Sequence, residues 1–523
     1  MTHNRFRTLR GSTVLLMYLI MPCEEAHAVA PVLAWSVPYN SAATNDDAAY
    51  GVAVDGSGNI VVVGFEYRTD MGQKGYFLVK KYDPGGNLVW TRTDNANSDA
   101  SANDVAIDAS GNIAIVGVED RTDIGQSLNW MIRKYDPNGN IIWSRSYDSP
   151  GHSNDFAYRI AVDTTGNCVA VGYEFRGDIG HLTDWCINKY DVNGSLSWSR
   201  SYHNPSNKDA TAYDVATDAS GNIAVVGYEL RNDLGQSRNW LILKYDSDGN
   251  FIWSRSYDGP MHTIDESYGV AMDASGNVVV AGGVDRADIF ESVNLLVRKY
   301  DPAGNLLWER EYNSPYNLAD EAFGVTVDNR TGDVVVVGWE HWNSGKTYWF
   351  TRKYDTDGNL LWHLLYSNPN TSEDSANDVA VDASGNVIVA GQIATASGDW
   401  DWMVLKYVEP GNPPAPSQPG NKPSSGEIWV SGTSGKLPVF PVRNEKAVFL
   451  LKVPQAGRLR IKVFSLLWEE VATVFDGNSA AGPLELLWNG RNKKEQIVAA
   501  GTYLVRFNLP GQKAIIRRLV IGR

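Results

Sequence analysis

A unit of about 54 residues recurs seven times along this chain, and a repeat of that size constrains the fold more than composition does. The pair Tyr-Asp, usually after Lys, returns at Tyr82, Tyr135, Tyr190, Tyr245, Tyr300 and Tyr354, and Tyr407 closes the series. The intervals are 53, 55, 55, 55, 54 and 53 residues. A second marker, an apolar strand ending in Asp with Gly shortly after, recurs at Asp55, Asp108, Asp163, Asp218, Asp273, Asp328 and Asp382. A third is Trp35, Trp90, Trp143, Trp198, Trp253, Trp308 and Trp362.

Each unit reads as four short strands. Gly51 to Asp55 alternates and stops at a Gly-Ser-Gly-Asn turn, Ile60 to Phe65 runs apolar, Tyr76 to Tyr82 alternates again, and Leu88-Val89-Trp90 follows a second turn. That turn, Asp83-Pro84-Gly85-Gly86-Asn87, suits a tight hairpin, because Asp can bond the turn backbone and Gly supplies positive φ. Seven four-stranded units predict an all-β fold, a seven-bladed β-propeller over residues 33–408. The phase of the repeat predicts how it closes. Leu33 to Tyr39 is a lone Trp strand, whereas the last unit ends at Tyr407 without one, so the N-terminal strand completes the last blade and removes two open edges. Trp130, Trp185, Trp240, Trp349 and Trp402 stand five residues before the third strand's Tyr. With the seven fourth-strand positions, twelve of the eighteen tryptophans occupy repeating places, which serves packing between blades better than one sugar platform.

The phrases Val-Ala-Val-Asp-Ala-Ser-Gly-Asn-Val (Val379 to Val387) and Lys-Tyr-Asp-Pro-x-Gly-Asn-Leu resemble the SBBP-type bacterial β-propeller repeat. The resemblance implies an extracellular or envelope location and no single activity. Beyond the repeats, residues 409–436 form a linker rich in Pro, Gly and Ser. Residues 437–523 then read as six strands of a small β-sandwich: Ala447 to Val453, Leu459 to Phe464, Val471 to Phe475, Leu484 to Trp488, Tyr503 to Leu509 and Ala514 to Ile521. Trp488-Asn489-Gly490-Arg491-Asn492 and Ala500-Gly501-Thr502-Tyr503 resemble the immunoglobulin-like domain of flagellar hook-capping proteins, a pattern shared with C-terminal sorting domains of type IX secretion cargo. Phe464 to Glu469 departs from that pattern by lacking its usual glycine. The resemblance implies that the outer-membrane secretion machinery is a partner of this tail.

The N-terminus suggests export. Arg5, Arg7 and Arg10 precede a short apolar run from Ser12 to Met21 and then Ala26-His27-Ala28, the three parts of a signal peptide spanning residues 1–28. No later stretch is long and apolar enough for a transmembrane helix. The expected location is secreted or on the bacterial cell surface. Net charge is −15, distributed as +1 over residues 1–28, −24 over 29–440 and +8 over 441–523, which argues against a nucleic-acid partner for the body. Cys168 and Cys186 lie in neighbouring strands but several residues out of register, so no disulfide is expected.

Chemistry-bearing residues are sparse. Glu-x-Arg-x-Asp follows the second strand as Glu66/Arg68/Asp70, Glu119/Arg121/Asp123, Glu174/Arg176/Asp178 and Glu229/Arg231/Asp233. Alternate positions share a face, so these side chains suit an ion-pair ladder between blades or a polar ligand rim. The loops entering each blade carry Asp46, Asp47, Asp99, Asp155, Asp209, Asp265, Glu266, Asp320, Glu321 and Asp374. As a ring they suit solvated acid or a Ca²⁺ site, although Asp246 to Asn250 and Asp355 to Asn359 read as hairpin turns and not as calcium loops. His152, His203 and His262 fall in successive loops, with His181 nearby. A lyase or hydrolase acting on polysaccharide would need these four to converge on one pocket.

No nucleophile elbow, phosphate loop, metal-ligand spacing or catalytic motif is present, so neither a catalytic residue nor a cofactor is expected. The expectation is a non-enzymatic protein binding a protein or glycan through its loop face, with a secreted enzyme and an architectural surface component as alternatives. Candidate ligand residues are Asn103, Asp104, Tyr213, Asp214, Asn377 and Asp378 at the start of inner strands, with the Glu-Arg pairs above.

Overall fold

The computed structural model describes residues 30–41, 46–68, 74–93, 99–342, 345–366, 373–395, 398–409, 428–432, 446–465, 470–494, 496–499, 501–512 and 514–521. The signal-peptide segment, Asp70, the Arg68 side chain, most of the Pro-rich linker and residues 466–469 lie outside the described residues. Among the described residues there is no α-helix, and therefore none long and apolar enough to cross a membrane.

Residues 32–408 contribute seven four-stranded antiparallel sheets. In six of them the strands follow the chain, as in Phe156–Val162, Cys168–Phe175, Thr183–Tyr190 and Leu196–Tyr202. The remaining sheet joins Asp374–Val381, Val387–Ala394 and Trp400–Val408 to the N-terminal strand Val32–Tyr39, with Val32 opposite Val408. Each sheet's first strand packs against the first strand of the next, and Asp374–Val381 meets Asp47–Val54, so the contacts form a closed cycle. This is a propeller-type ring, and the lone Trp strand closes it as the phase of the repeat required.

Turn chemistry sets the strand boundaries. Asp55 Oδ1 accepts the amides of Ser57 and Asn59, and Asp83 Oδ1 accepts those of Gly85 and Asn87. Asp246 and Asp355 make the same turn, as expected. The turn glycine also makes room for the neighbouring sheet. At Gly194, where φ is 79°, a Cβ would lie 2.6 Å from the Trp143 ring of the preceding sheet. Trp143 Nε1 donates to Val192 O of that same turn at 3.0 Å, and Trp90, Trp198, Trp253 and Trp308 repeat the bond. Trp35 closes the ring by donating to Pro84 O. On the third strand, Trp130, Trp185, Trp240 and Trp349 donate to carbonyls of the following sheet. Ten of the twelve repeating tryptophans thus join sheet to sheet, the others being Trp362, which donates to the Glu409 carboxylate, and Trp402.

The Lys of the Lys-Tyr pair has a matching role. Lys134 reaches Asp108 at 2.9 Å, Lys189 reaches Asp163 at 3.0 Å and Lys406 reaches Asp382 at 3.0 Å, each pair being buried. These contacts hold the Asp carboxyls below their ordinary range: burial pushes them up, but hydrogen bonds from Asn and Lys outweigh it. Cys168 faces Tyr190 and Cys186 faces Gly172, so the two thiols are out of register and free.

The tail has two sheets, one of Ile428–Gly432, Ala447–Val453 and Gly482–Trp488, the other of Gly457–Phe464, Glu470–Ser479, Gly501–Asn508 and Ile515–Ile521. Phe449, Ile461, Trp488 and Phe507 are buried in one core between them. One boundary differs from the sequence reading. Ile428–Gly432 pairs with Ala447–Val453 inside the segment expected to be linker, because five residues of Ile-Trp-Val-Ser-Gly are enough for an edge strand.

Candidate functional site

The inner strand of every sheet carries a β-bulge at the same place. Register shifts fall between Ala49 and Gly51, Ala102 and Asp104, Ala157 and Arg159, Ala212 and Asp214, Ser267 and Gly269, Ala322 and Gly324, and Ala376 and Asp378. The cause is a glycine on the second strand. Gly64, Gly117, Gly172, Gly227, Gly282, Gly338 and Gly391 lie so close to the inner strand that a Cβ would meet a carbonyl oxygen at 1.8–2.1 Å. A bulge turns one extra side chain out of the ladder. Those side chains are Tyr50, Asn103, Tyr158, Tyr213, Tyr268, Phe323 and Asn377, and all seven line one cavity of about 630 Å³.

The wall of this cavity has two halves. Tyr158, Tyr213, Tyr268 and Phe323 form a chain of ring contacts, with centroids 5.4, 5.3 and 5.2 Å apart, which continues to Trp339. The other half is polar around Tyr50. Asn103 donates to Ala157 O and accepts from Ser101, Asn377 donates to Ala49 O and accepts from Ser375, and Gln392 completes it.

The residues that follow the bulges are Gly51, Asp104, Arg159, Asp214, Gly269, Gly324 and Asp378. Asp104 accepts the amide of Ile160 at 2.8 Å, Asp214 that of Val270 at 2.7 Å and Asp378 that of Val52 at 2.7 Å. Each carboxylate therefore bonds the next sheet's inner strand. Arg159 lines the floor of the cavity and donates to Asn103 O at 3.0 Å. Burial raises the pKa of Asp214 to about 7 against the pull of Arg159, and it also raises Asp104 and Asp378. Burial pulls Arg159 down, but Asp104, Asp378 and Asp214 more than restore it.

Of the sequence-selected residues, Asn103, Tyr213 and Asn377 face the cavity, whereas Asp104, Asp214 and Asp378 are committed to neighbouring amides. Tyr50, Tyr158, Tyr268, Phe323 and Arg159 were missed, although they hold the same places in the repeat. The Glu-Arg pairs are absent from the cavity lining and do not form a ladder between sheets. Arg121 pairs with Glu119 and Asp123, Arg176 with Glu174 and Asp178, and Arg231 with Glu229 and Asp233, each within one sheet. The arginines find their carboxylates two residues before and after them in the same chain segment. The link between sheets is instead the glutamate: Glu66, Glu174 and Glu229 accept the hydroxyls of Tyr39, Tyr147 and Tyr202 at 2.5–2.6 Å.

The loop carboxylates divide: Asp46 and Asp99 are exposed, whereas others are enclosed. Asp47, Asp155, Asp265 and Asp320 are buried and accept the amides of Ser41, Ser149, Gly259 and Ser314. Burial raises the first three to about 6 and Asp320 to about 7, the amide bonds opposing it.

The four histidines do not converge. His152 contacts Asp148 and His262 contacts Asp258 in separate sheets, while His181 and His203 share Asp184 between them at 3.0 and 2.5 Å. His152 and His262 hold the same place in loops two repeats apart, each four residues after its Asp, so the repeat itself keeps them apart. None of the four lines the axial cavity, so the arrangement required for a polysaccharide-cleaving site there is not met.

No protein-family model matches this chain. An uncharacterised WD repeat-containing protein of Acanthamoeba polyphaga mimivirus is 21% identical over 371 residues, covering 60% of this chain and 26% of that protein. Among solved structures, PorZ, an essential bacterial surface component of the type-IX secretion system of Porphyromonas gingivalis, aligns with a TM-score of 0.40 at 14% identity, over 93% of this chain and 61% of its own. A puromycin hydrolase aligns with a TM-score of 0.40 at 13% identity, over 82% and 62%. The chain thus spans about a quarter of the curated relative and about three-fifths of PorZ. At these levels the likeness carries neither activity nor partner across.

Proposed function

We propose that this chain is an exported, non-enzymatic binding protein. Its seven-bladed propeller captures an uncharged glycan at the bacterial cell surface or outside it, and its immunoglobulin-like tail delivers or anchors it through the outer-membrane secretion machinery. The observation that carries the reading is the two-sided cavity wall. A pyranose ring presents C–H bonds on one face and hydroxyls at its rim, and the Tyr158–Phe323 arc offers aromatic faces opposite the amides of Asn103, Asn377 and Gln392. A net charge of −24 over residues 29–440 disfavours polyanionic sugars. Binding of this kind calls for no cofactor.

The tail reading is supported by its two sheets around one core and by Tyr503, whose hydroxyl donates to Ala499 O at 2.8 Å, a bond typical of immunoglobulin-like corners. Its charge of +8 suits an acidic partner. A protein partner for the propeller is favoured by a separate feature. Ile124, Ile179, Leu234 and Ile289 are exposed at matching loop tips of four successive sheets.

A glycan array followed by calorimetry on the best ligand tests the main reading. Tyr213→Ala and Tyr268→Ala should each weaken binding at least tenfold with the fold retained. Unchanged affinity in both variants would move the site elsewhere. A featureless array together with failed protein pull-down would leave an architectural role.

A further inference from the structure

We propose that His181, Asp184 and His203 form a binding site for one first-row divalent transition-metal ion such as Zn²⁺. Their ligand atoms all lie within 4.8 Å of one another. Donors of a tetrahedral site with bonds of about 2.0–2.2 Å stand about 3.4 Å apart, so small side-chain shifts would admit an ion. Asp184 is buried, His181 is largely covered and His203 is 45% exposed, which leaves a coordination position open to solvent. Two imidazoles and one carboxylate favour Zn²⁺, Co²⁺ or Ni²⁺ over the oxygen-seeking Ca²⁺.

The fold holds these three residues in place. Asp184 opens the strand Thr183–Tyr190, and His203 follows Leu196–Tyr202, just past the cross-strand pair Trp185 and Tyr202. His181 ends a tight loop in which Gly180 takes φ 81° and the His181 amide donates to Arg176 O. Glu174, in register with Asp184, is already engaged by Tyr147, Ser201 and Arg176 and does not compete.

The neighbouring sheets supply the comparison. In the preceding sheet the same three places hold Gln126, Asn129 and Asp148, and in the following sheet Gln236, Asn239 and Asp258. There the Asn donates to the Gln, and the Gln amide donates to the Asp. That relay ends on an Asp that a single histidine, His152 or His262, contacts, and it offers no pair of imidazoles. In the intervening sheet all three residues differ together: the carboxylate moves to the buried centre, and an imidazole takes each flank. Packing is satisfied by either set, whereas a soft-to-borderline cation is accommodated only by the second.

The test uses the full chain without a polyhistidine tag, stripped with EDTA and titrated with ZnCl₂ and CoCl₂. One equivalent should bind with micromolar or better affinity, with a tetrahedral Co²⁺ absorption spectrum and no comparable Ca²⁺ binding. The triple variant His181→Gln, Asp184→Asn, His203→Asp transplants the neighbours' relay and should fold unchanged, with Zn²⁺ affinity at least 100-fold lower. His203→Asn, altering one exposed ligand, should lose at least tenfold. The proposal is overturned if both variants bind as the parent does, if binding disappears only on replacing His152 and His262, or if the parent binds no Zn²⁺ at 100-fold molar excess.

Discussion

Arg159 shows how one substitution within a repeat changes the balance of a whole axis. The equivalent places hold Gly or Asp, and three of those aspartates surround its guanidinium. Removing one partner of such a cluster costs more than the cluster contributes net, because the remaining charges lose their compensation. Arg159→Leu should therefore destabilise the ring by about 3–5 kcal/mol at pH 8. The penalty should shrink towards pH 5. Asp214 has a folded pKa raised to about 7, and the folded state takes up protons before the unfolded one as pH falls, so the uncompensated charge is neutralised. Urea unfolding at the two pH values checks this, and an equal loss at both would remove the electrostatic explanation. The residue scale was also the least legible in the sequence. Asn103, Tyr213 and Asn377 stand out as polar positions at a strand start, but Tyr158, Tyr268 and Phe323 belong to no motif that singles them out. Only the bulge reveals that they face the cavity. Asp184 was hidden for a different reason: it joins His181 and His203 across two strands, and no linear spacing records that.

At the level of the strand, the bulge depends on an absence. The second-strand glycine leaves the inner strand room to gain a residue, and every sheet retains it. Gly227→Ala would place a methyl group 1.9 Å from Thr211 O. It should cost roughly 2–3 kcal/mol by overpacking and should reduce ligand binding through displacement of Tyr213. Thermal unfolding and calorimetry read the two effects separately, and a variant with parental stability would show that the bulge has another cause. The strands themselves were readable throughout the ring because turn chemistry is local. Asp-x-x-Gly-Asn carries its own hydrogen bonds wherever it occurs. The Glu-Arg pattern was visible but its partners were not, since sequence spacing does not say whether i+2 or the next sheet is nearer. In the tail, the short strand Ile428–Gly432 was lost in a segment whose proline content resembled a linker.

For the molecule as a whole, closure is the defining property, and the phase of the repeat made it legible before any coordinates. Trp35 bonds Pro84 O, Tyr39 bonds Glu66 and Val32 lies opposite Val408, so one strand joins the two ends of the ring. Deleting residues 30–39 would uncover the edge of Trp400–Val408 and leave Glu66 without its tyrosine. The truncated chain should melt at lower temperature, with a broader transition, and should self-associate through the free edge. Calorimetry with light scattering measures both, and a monomer with an unchanged transition would show that the ring does not depend on this strand.

Closure also imposes an order in time. Val32 is synthesised before every other sheet of the ring, yet its partner Val408 follows only after them all. The first strand of the ring to be made is thus the last that can find its place, and it waits unpaired while its neighbours assemble. Contacts so distant along the chain are slow to form and expose sticky intermediates. A ring built this way should give a folding yield that depends on how long that first strand is kept from pairing with another copy.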